Sequence, residues 1–133
     1  HNSRSYIFSA SLTPAATAAA LEALHIMQEE PERIERLWQL TRYAIEGFRA
    51  LGFETGATQT PIIPLYVRDM DKTFQVTRML FDEGVFVNPV VPPACASGDT
   101  LIRFSLMATH TKAQVDLAFE KMLKCFKALE IFG

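Results

Sequence analysis

Leu101-Ile102-Arg103-Phe104-Ser105-Leu106, followed by Thr111-Lys112-Ala113-Gln114, decides the fold. Ile102, Phe104 and Leu106 alternate with Arg103 and Ser105, the period-two pattern of a half-buried strand. Thr111 with Gln114 three residues on is a capping box. It opens a final helix whose Val115, Ala118, Phe119, Met122, Phe126 and Leu129 share one face. A half-buried strand beside an amphipathic helix calls for a sheet covered by helices on one side.

Reading back toward the N-terminus, residues 88–100 hold Pro89, Pro92 and Pro93 with a Gly, an Asp and an Asn, which predicts an irregular loop. Val85-Phe86-Val87 reads as a short strand. Asp69 or Asp71 caps a helix over 71–83, ended by Gly84, with Phe74, Thr77, Leu80 and Phe81 as its buried stripe. Ile62 to Val67 is a strand in which Pro64 demands an edge or a bulge. Residues 53–60 are a polar connector. A helix from Pro31 to about 51 presents Ile34, Leu37, Trp38, Thr41, Ile45 and Phe48, and Gly52 stops it. Thr13-Pro14 starts the first helix, Thr13 as N-cap and Pro14 at the first helical position. Its Ala-rich start suits either close backbone approach or plain helix propensity. Residues 6–12 read as extended. The order is α-α-β-α-β-β-α: an α/β (α+β) fold with a small three-stranded, antiparallel or mixed sheet and helices on one face. Residues 1–30 form an extended segment and a helical arm; residues 31–133 form the small domain.

Composition excludes several function classes. A net charge of −2 without a basic run argues against a nucleic-acid surface, which needs clustered cations. Cys95 and Cys125 form no CxxC, so neither a metal site nor a disulfide framework is indicated, and a reducing cytoplasm is the expectation. Apolar runs are too short and interrupted to span a bilayer. No signal peptide is evident, and the absence of an initiating Met reads as a piece of a longer protein.

Arg103 is the most informative charge. A guanidinium inside an apolar strand offers a rigid fork suited to a carboxylate or phosphate; an edge-strand Arg facing water or paired with an Asp is the commoner occurrence. His110, between a strand and a helix cap, is a candidate general base or a loop residue bonded to backbone. Ser9 and Ser11 precede a helix N-terminus, where hydroxyls suit a phosphate or an ordinary turn. No GxGxxG, Walker loop, HExxH or GxSxG is present. The lysines, Lys72, Lys112, Lys121, Lys124 and Lys127, all lie on or beside helices, mostly on polar faces; none has the apolar setting that lowers an amine's pKa for Schiff-base chemistry.

Arg4-Ser5-Tyr6-Ile7-Phe8-Ser9-Ala10-Ser11-Leu12-Thr13-Pro14-Ala15 resembles a segment of the α-oxoamine synthases, a pyridoxal 5'-phosphate (PLP)-dependent family. Thr60 to Leu65, Gly84 to Pro93 and Leu101 to Thr111 are further blocks in family order. The loop at 92–96 and Met107 to Thr111 are most similar to bacterial serine palmitoyltransferases. The resemblance implies the small C-terminal domain of a type I PLP-dependent transferase, in an obligate homodimer with its sites at the subunit interface. It implies that Arg103 binds the amino-acid carboxylate, and that Ser9 or Ser11 contacts the cofactor phosphate of the neighbouring subunit. Ala10 stands where some relatives carry Thr. Pro92 and Pro93 would border the substrate entrance. The implied reaction condenses L-serine with palmitoyl-CoA, with loss of CO2, to 3-ketosphinganine. The catalytic lysine would lie outside this chain, leaving it inactive alone. Two alternatives stand within the family, 2-amino-3-ketobutyrate CoA ligase and 8-amino-7-oxononanoate synthase. One stands outside it, a free-standing regulatory module that senses a carboxylate.

Overall fold

A computed structural model describes residues 12–132. The extended segment expected at 6–12 therefore lies outside the described residues apart from Leu12. Helix α1 spans Pro14–Glu29, and Thr13, in extended conformation, accepts at its Oγ1 from the Ala16 N–H at 3.2 Å. Its apolar side chains Leu21, Leu24 and Met27 are exposed. The chain clusters into two compact units, the first ending at Ile34 and the second running from Glu35. The second unit holds the sheet and its core.

Helix α2 spans Pro31–Ala50. It ends as expected at Gly52, whose φ of +89° suits glycine, and the Phe53 N–H returns to the Phe48 carbonyl at 3.0 Å. The buried stripe is Leu40, Thr41, Ala44, Ile45 and Phe48. Ile34 and Trp38, expected in it, are 36% and 41% exposed. Full burial begins only at Leu40, and Ala44, too small to stand out in the sequence, packs where Trp38 does not. Gly47 looks costly inside a helix, but a Cβ there would lie 2.3 Å from the Phe119 ring. Its absence lets that ring stand edge-on to Phe48 at a centroid distance of 4.7 Å.

Strands β1 (Ile62–Tyr66), β2 (Asn88–Val90) and β3 (Leu101–Ser105) form an antiparallel sheet in the order β1-β3-β2. Ile63, Leu65, Ile102 and Phe104 are buried beneath the helices, while Ile62, Arg103 and Ser105 are exposed on the opposite face. The alternation expected for β3 holds, and so does the edge position of Pro64. The strand expected at 85–87 is displaced to 88–90, within the expected loop. The Val85 N–H is spent on the Leu80 carbonyl at 2.8 Å, closing the preceding helix, and Phe86 is 76% exposed. Pro89 does not bar the strand because β2 is an edge.

That helix, α3 (Met70–Asp82), is capped by Asp69, which accepts from the Lys72 N–H at 2.8 Å. Its buried stripe is Thr73, Val76 and Leu80. Of the expected stripe only Leu80 is buried: Thr77 is half-buried, and Phe74 and Phe81 are 50% and 58% exposed. Phe74, Phe81 and Phe86 instead line a shallow apolar groove with Thr77, Arg78 and Val87. Helix α4 (Lys112–Ala128) carries both bonds of the capping box: Thr111 N–H to Gln114 Oε1 at 2.8 Å and Gln114 N–H to Thr111 Oγ1 at 3.3 Å. Val115, Ala118, Met122 and Phe126 are buried as expected, joined by Cys125, while Phe119 and Leu129 are half-covered.

Two polar ties join these elements. The buried hydroxyls of Thr73 and Thr100 meet at 3.0 Å, fixing the start of α3 to the start of β3. At the other end of α3, Glu83 accepts from Lys121 at 2.8 Å and from Lys124, both on α4. Those ammonium hydrogen bonds hold the Glu83 carboxyl down from 4.5 to about 2. A depressed carboxyl stabilises the fold fully above its unfolded pKa, and that contribution disappears as protons bind the folded form. Stability is therefore expected to fall as pH drops from 4.5 toward about 2. Denaturation midpoints measured across that window should show a shallower slope for Glu83→Gln than for the parent chain.

Candidate functional site

Arg103 sits at the centre of the open sheet face, where strand register decides its neighbours. On β1 it faces Pro64, and on β2 it faces Asn88. The Val67 N–H bonds the Thr100 carbonyl and the Leu106 N–H bonds the Pro61 carbonyl, at 2.9 Å each. Antiparallel ladders alternate, so Pro64 and Arg103 form a non-hydrogen-bonded pair. Arg103 then turns its own N–H and C=O toward β2, making Asn88 its hydrogen-bonded partner. Their side chains emerge side by side on the face opposite the buried Ile102 and Phe104. Arg103 Nη2 donates to Asn88 Oδ1 at 3.4 Å, a long and weak bond.

No ion pair to Arg103 occurs among the described residues. Arg68 is its opposite. With φ at +63°, its guanidinium is gripped by Glu54 and by Asp99 at 2.6 Å and lies 4.8 Å over the Tyr66 ring. The Glu54 hydrogen bond raises its pKa and keeps it charged. The same side-chain type is thus saturated at 68 and left open at 103. An exposed guanidinium without an ion-pair partner among the described residues can take a carboxylate or phosphate with two parallel N–H bonds.

Pro92 and Pro93 are exposed in the loop that joins β2 to β3, and their peptide bond is cis. The loop starts just past Val90, which faces Leu101, so it rises two residue pairs beyond Asn88 and Arg103 along the same strands. Ser9 and Ser11 lie outside the described residues. His110 accepts from the Met107 N–H at its Nδ1, 3.1 Å, and so closes a backbone turn. Asn88 was not singled out by the sequence; its signal is a strand register that only the folded sheet reveals.

A concavity of about 710 Å3 beside the Arg68–Glu54 pair does not include Arg103. It is floored by Phe53, Phe126 and Phe132, and its rim pair Arg68–Glu54 is already neutralised, so few free polar groups converge there. Size is a poorer guide here than unspent hydrogen-bonding capacity, and Arg103 is the better candidate.

The described residues do not themselves fit a PLP site. Lys121 and Lys124 are bound to Glu83, the Lys72 Nζ donates to the Glu130 carbonyl at 3.1 Å, and the Lys112 Nζ stands 4.2 Å over the Tyr43 ring. None of these amines is in the dry setting that Schiff-base chemistry needs. Burial pushes the Cys125 thiol up, leaving it a core residue rather than a nucleophile.

Over 98% of its length the chain is 69% identical to serine palmitoyltransferase of Bacteroides ovatus, covering 33% of that protein. It is 42% identical to 8-amino-7-oxononanoate synthase of Thermosipho melanesiensis over 96% of its length, again 33% of the relative. The PLP- and myriocin-bound serine palmitoyltransferase of S. paucimobilis superposes with a TM-score of 0.86 at 31% identity, covering 97% of this chain and 33% of that one. The chain thus spans about a third of the length of the relatives it matches. The fold is that of the matched third, a small α/β domain with a three-stranded antiparallel sheet. Sequence and sheet thus point the same way, and since residues 1–122 match the model for aminotransferase class I and II, the chain belongs to that family.

Proposed function

We propose that this chain is the C-terminal third of a PLP-dependent acyltransferase that condenses L-serine with palmitoyl-CoA, releasing CoA and CO2 and yielding 3-ketosphinganine. The 69% identity to a bacterial serine palmitoyltransferase over 98% of this chain, a third of that relative's length, carries this reading. In it, residues 1–30 lead in from a larger domain that holds the Schiff-base lysine, and residues 31–133 form the small domain. Two copies of the full-length enzyme pair, and Ser9 or Ser11 reaches the cofactor phosphate of the neighbouring subunit. This chain alone is inactive. PLP would supply an electron sink for the substrate Cα. Arg103 would contribute position: by gripping the substrate carboxylate with two N–H bonds it would hold the substrate Cα in one orientation. Pro92 and Pro93 border the entrance through which the acyl thioester arrives.

The test is a substrate matrix on the full-length enzyme, L-serine and glycine each against short and long acyl-CoA. Turnover greatest with serine and palmitoyl-CoA is expected. A preference for glycine or a short acyl chain would move the enzyme to another synthase of the family, and no condensation at all would overturn the reading.

A further inference from the structure

We infer that Asn88 is a positioning residue for Arg103: it steadies the guanidinium with an uncharged contact, leaving the positive charge free for a substrate carboxylate. This rests on the amino-acid-binding reading of Arg103 and goes beyond it.

The argument begins with the two flanks of Arg103. Pro64 on one side has no side-chain polar atom, so any orienting force at this level of the sheet comes from Asn88 on the other. The two residues form a hydrogen-bonded pair across β2 and β3, which holds their side chains beside each other on the open face. The choice of an amide there is informative. Arg49 is held by the uncharged oxygens of Thr55 and Gly56, whereas Arg33, Arg68, Arg78, Lys121 and Lys124 are each met by a carboxylate. Arg103 is met by an oxygen of nearly the same shape and no charge. A carboxylate at position 88 would form a permanent ion pair and compete with the ligand. An amide biases the guanidinium toward one orientation and yields when a shorter, charge-assisted bidentate pair becomes available. At 3.4 Å the contact occupies one N–H of Arg103 and leaves the rest of the fork open.

This reasoning predicts an inverted order of severity. Asn88→Asp is nearly isosteric and would bind Arg103 more strongly, yet it should harm ligand binding more than Asn88→Ala. The experiment uses the full-length enzyme with L-serine, read by titration calorimetry and by KM and kcat separately. Asn88→Asp is expected to raise the Kd for serine by about tenfold or more, because a charged neighbour spends the guanidinium. Asn88→Ala is expected to raise it about threefold, the scale of one weak orienting hydrogen bond. The loss should appear in KM rather than kcat, and melting temperatures should stay close to the parent's. In an Arg103→Ala background, Asn88→Ala should add nothing. The inference is overturned if Asn88→Asp binds serine as well as Asn88→Ala does, or if the Asn88→Ala penalty persists undiminished without Arg103. Wild-type binding that falls with Arg103→Ala but ignores both Asn88 variants would sink this inference and leave the proposed function standing. Wild-type protein that binds no amino acid would remove both.

Discussion

Arg103→Ala in the full-length enzyme is expected to raise the Kd for L-serine by about 30-fold to several thousand-fold, the range for truncating one partner of a desolvated ion pair, about 2–5 kcal/mol. The guanidinium is exposed in this chain and has no carboxylate partner among the described residues. In the function proposed above, its counter-charge arrives with the substrate carboxylate. The upper part of the range requires the assembled enzyme to cover the open sheet face and exclude water from the pair. Arg103→Lys should recover only part of the loss, since an ammonium keeps the charge and gives up the planar fork. Fold stability should change little in either variant, because an exposed side chain away from caps and core contributes within about 0.5 kcal/mol. Calorimetric titration of serine decides the matter: an unchanged Kd for Arg103→Ala would reduce the residue to a solvated strand arginine.

Phe48→Ala is expected to cost about 3–5 kcal/mol of folding stability, as for other fully buried aromatic truncations. Phe48 is 0% exposed and is the hub of an aromatic cluster. Its ring meets Phe53 at 5.2 Å, Phe104 at 5.1 Å and Phe119 at 4.7 Å, all edge-on. These rings come from α2, the connector after it, β3 and α4, so a single truncation loosens four segments. Edge-on pairs add about 0.5–1.5 kcal/mol each beyond area burial. Total domain stability is only about 5–15 kcal/mol. Urea titration followed by circular dichroism should show a large drop in midpoint. A change below about 1 kcal/mol would mean that the site collapses without a cavity.

Whether a feature was legible in the sequence depended on how local its cause is. Thr13, Asp69 and the Thr111–Gln114 pair act within one helical turn, and all cap as their sequence predicts. Helix faces are less legible, because the size of an apolar side chain does not decide its burial. Trp38, Phe74 and Phe81 are exposed while Thr73, Ala44 and Cys125 are inside, and burial is a one-way rule for which exposed aromatics are no exception. The strand near 88 is hidden behind Pro89, because proline signals a break unless the strand is an edge, and whether a strand is central or an edge is a property of the whole sheet. Arg103 announced itself as one charge in an apolar alternation. Asn88 could not, since pairing across a hairpin with a long loop leaves no fixed spacing to read.

The two edge prolines carry a consequence for how this protein behaves when concentrated. Pro64 on β1 and Pro89 on β2 both occupy positions whose backbone nitrogen points outward from the sheet, by the same alternation that pairs Arg103 with Asn88. A strand arriving from another molecule would look for amide hydrogens there and find none at the middle of either rim. Neither proline sacrifices an internal bond. Each rim therefore lacks an amide donor at its centre, which weakens edge-to-edge pairing with a neighbouring molecule and so works against fibre growth.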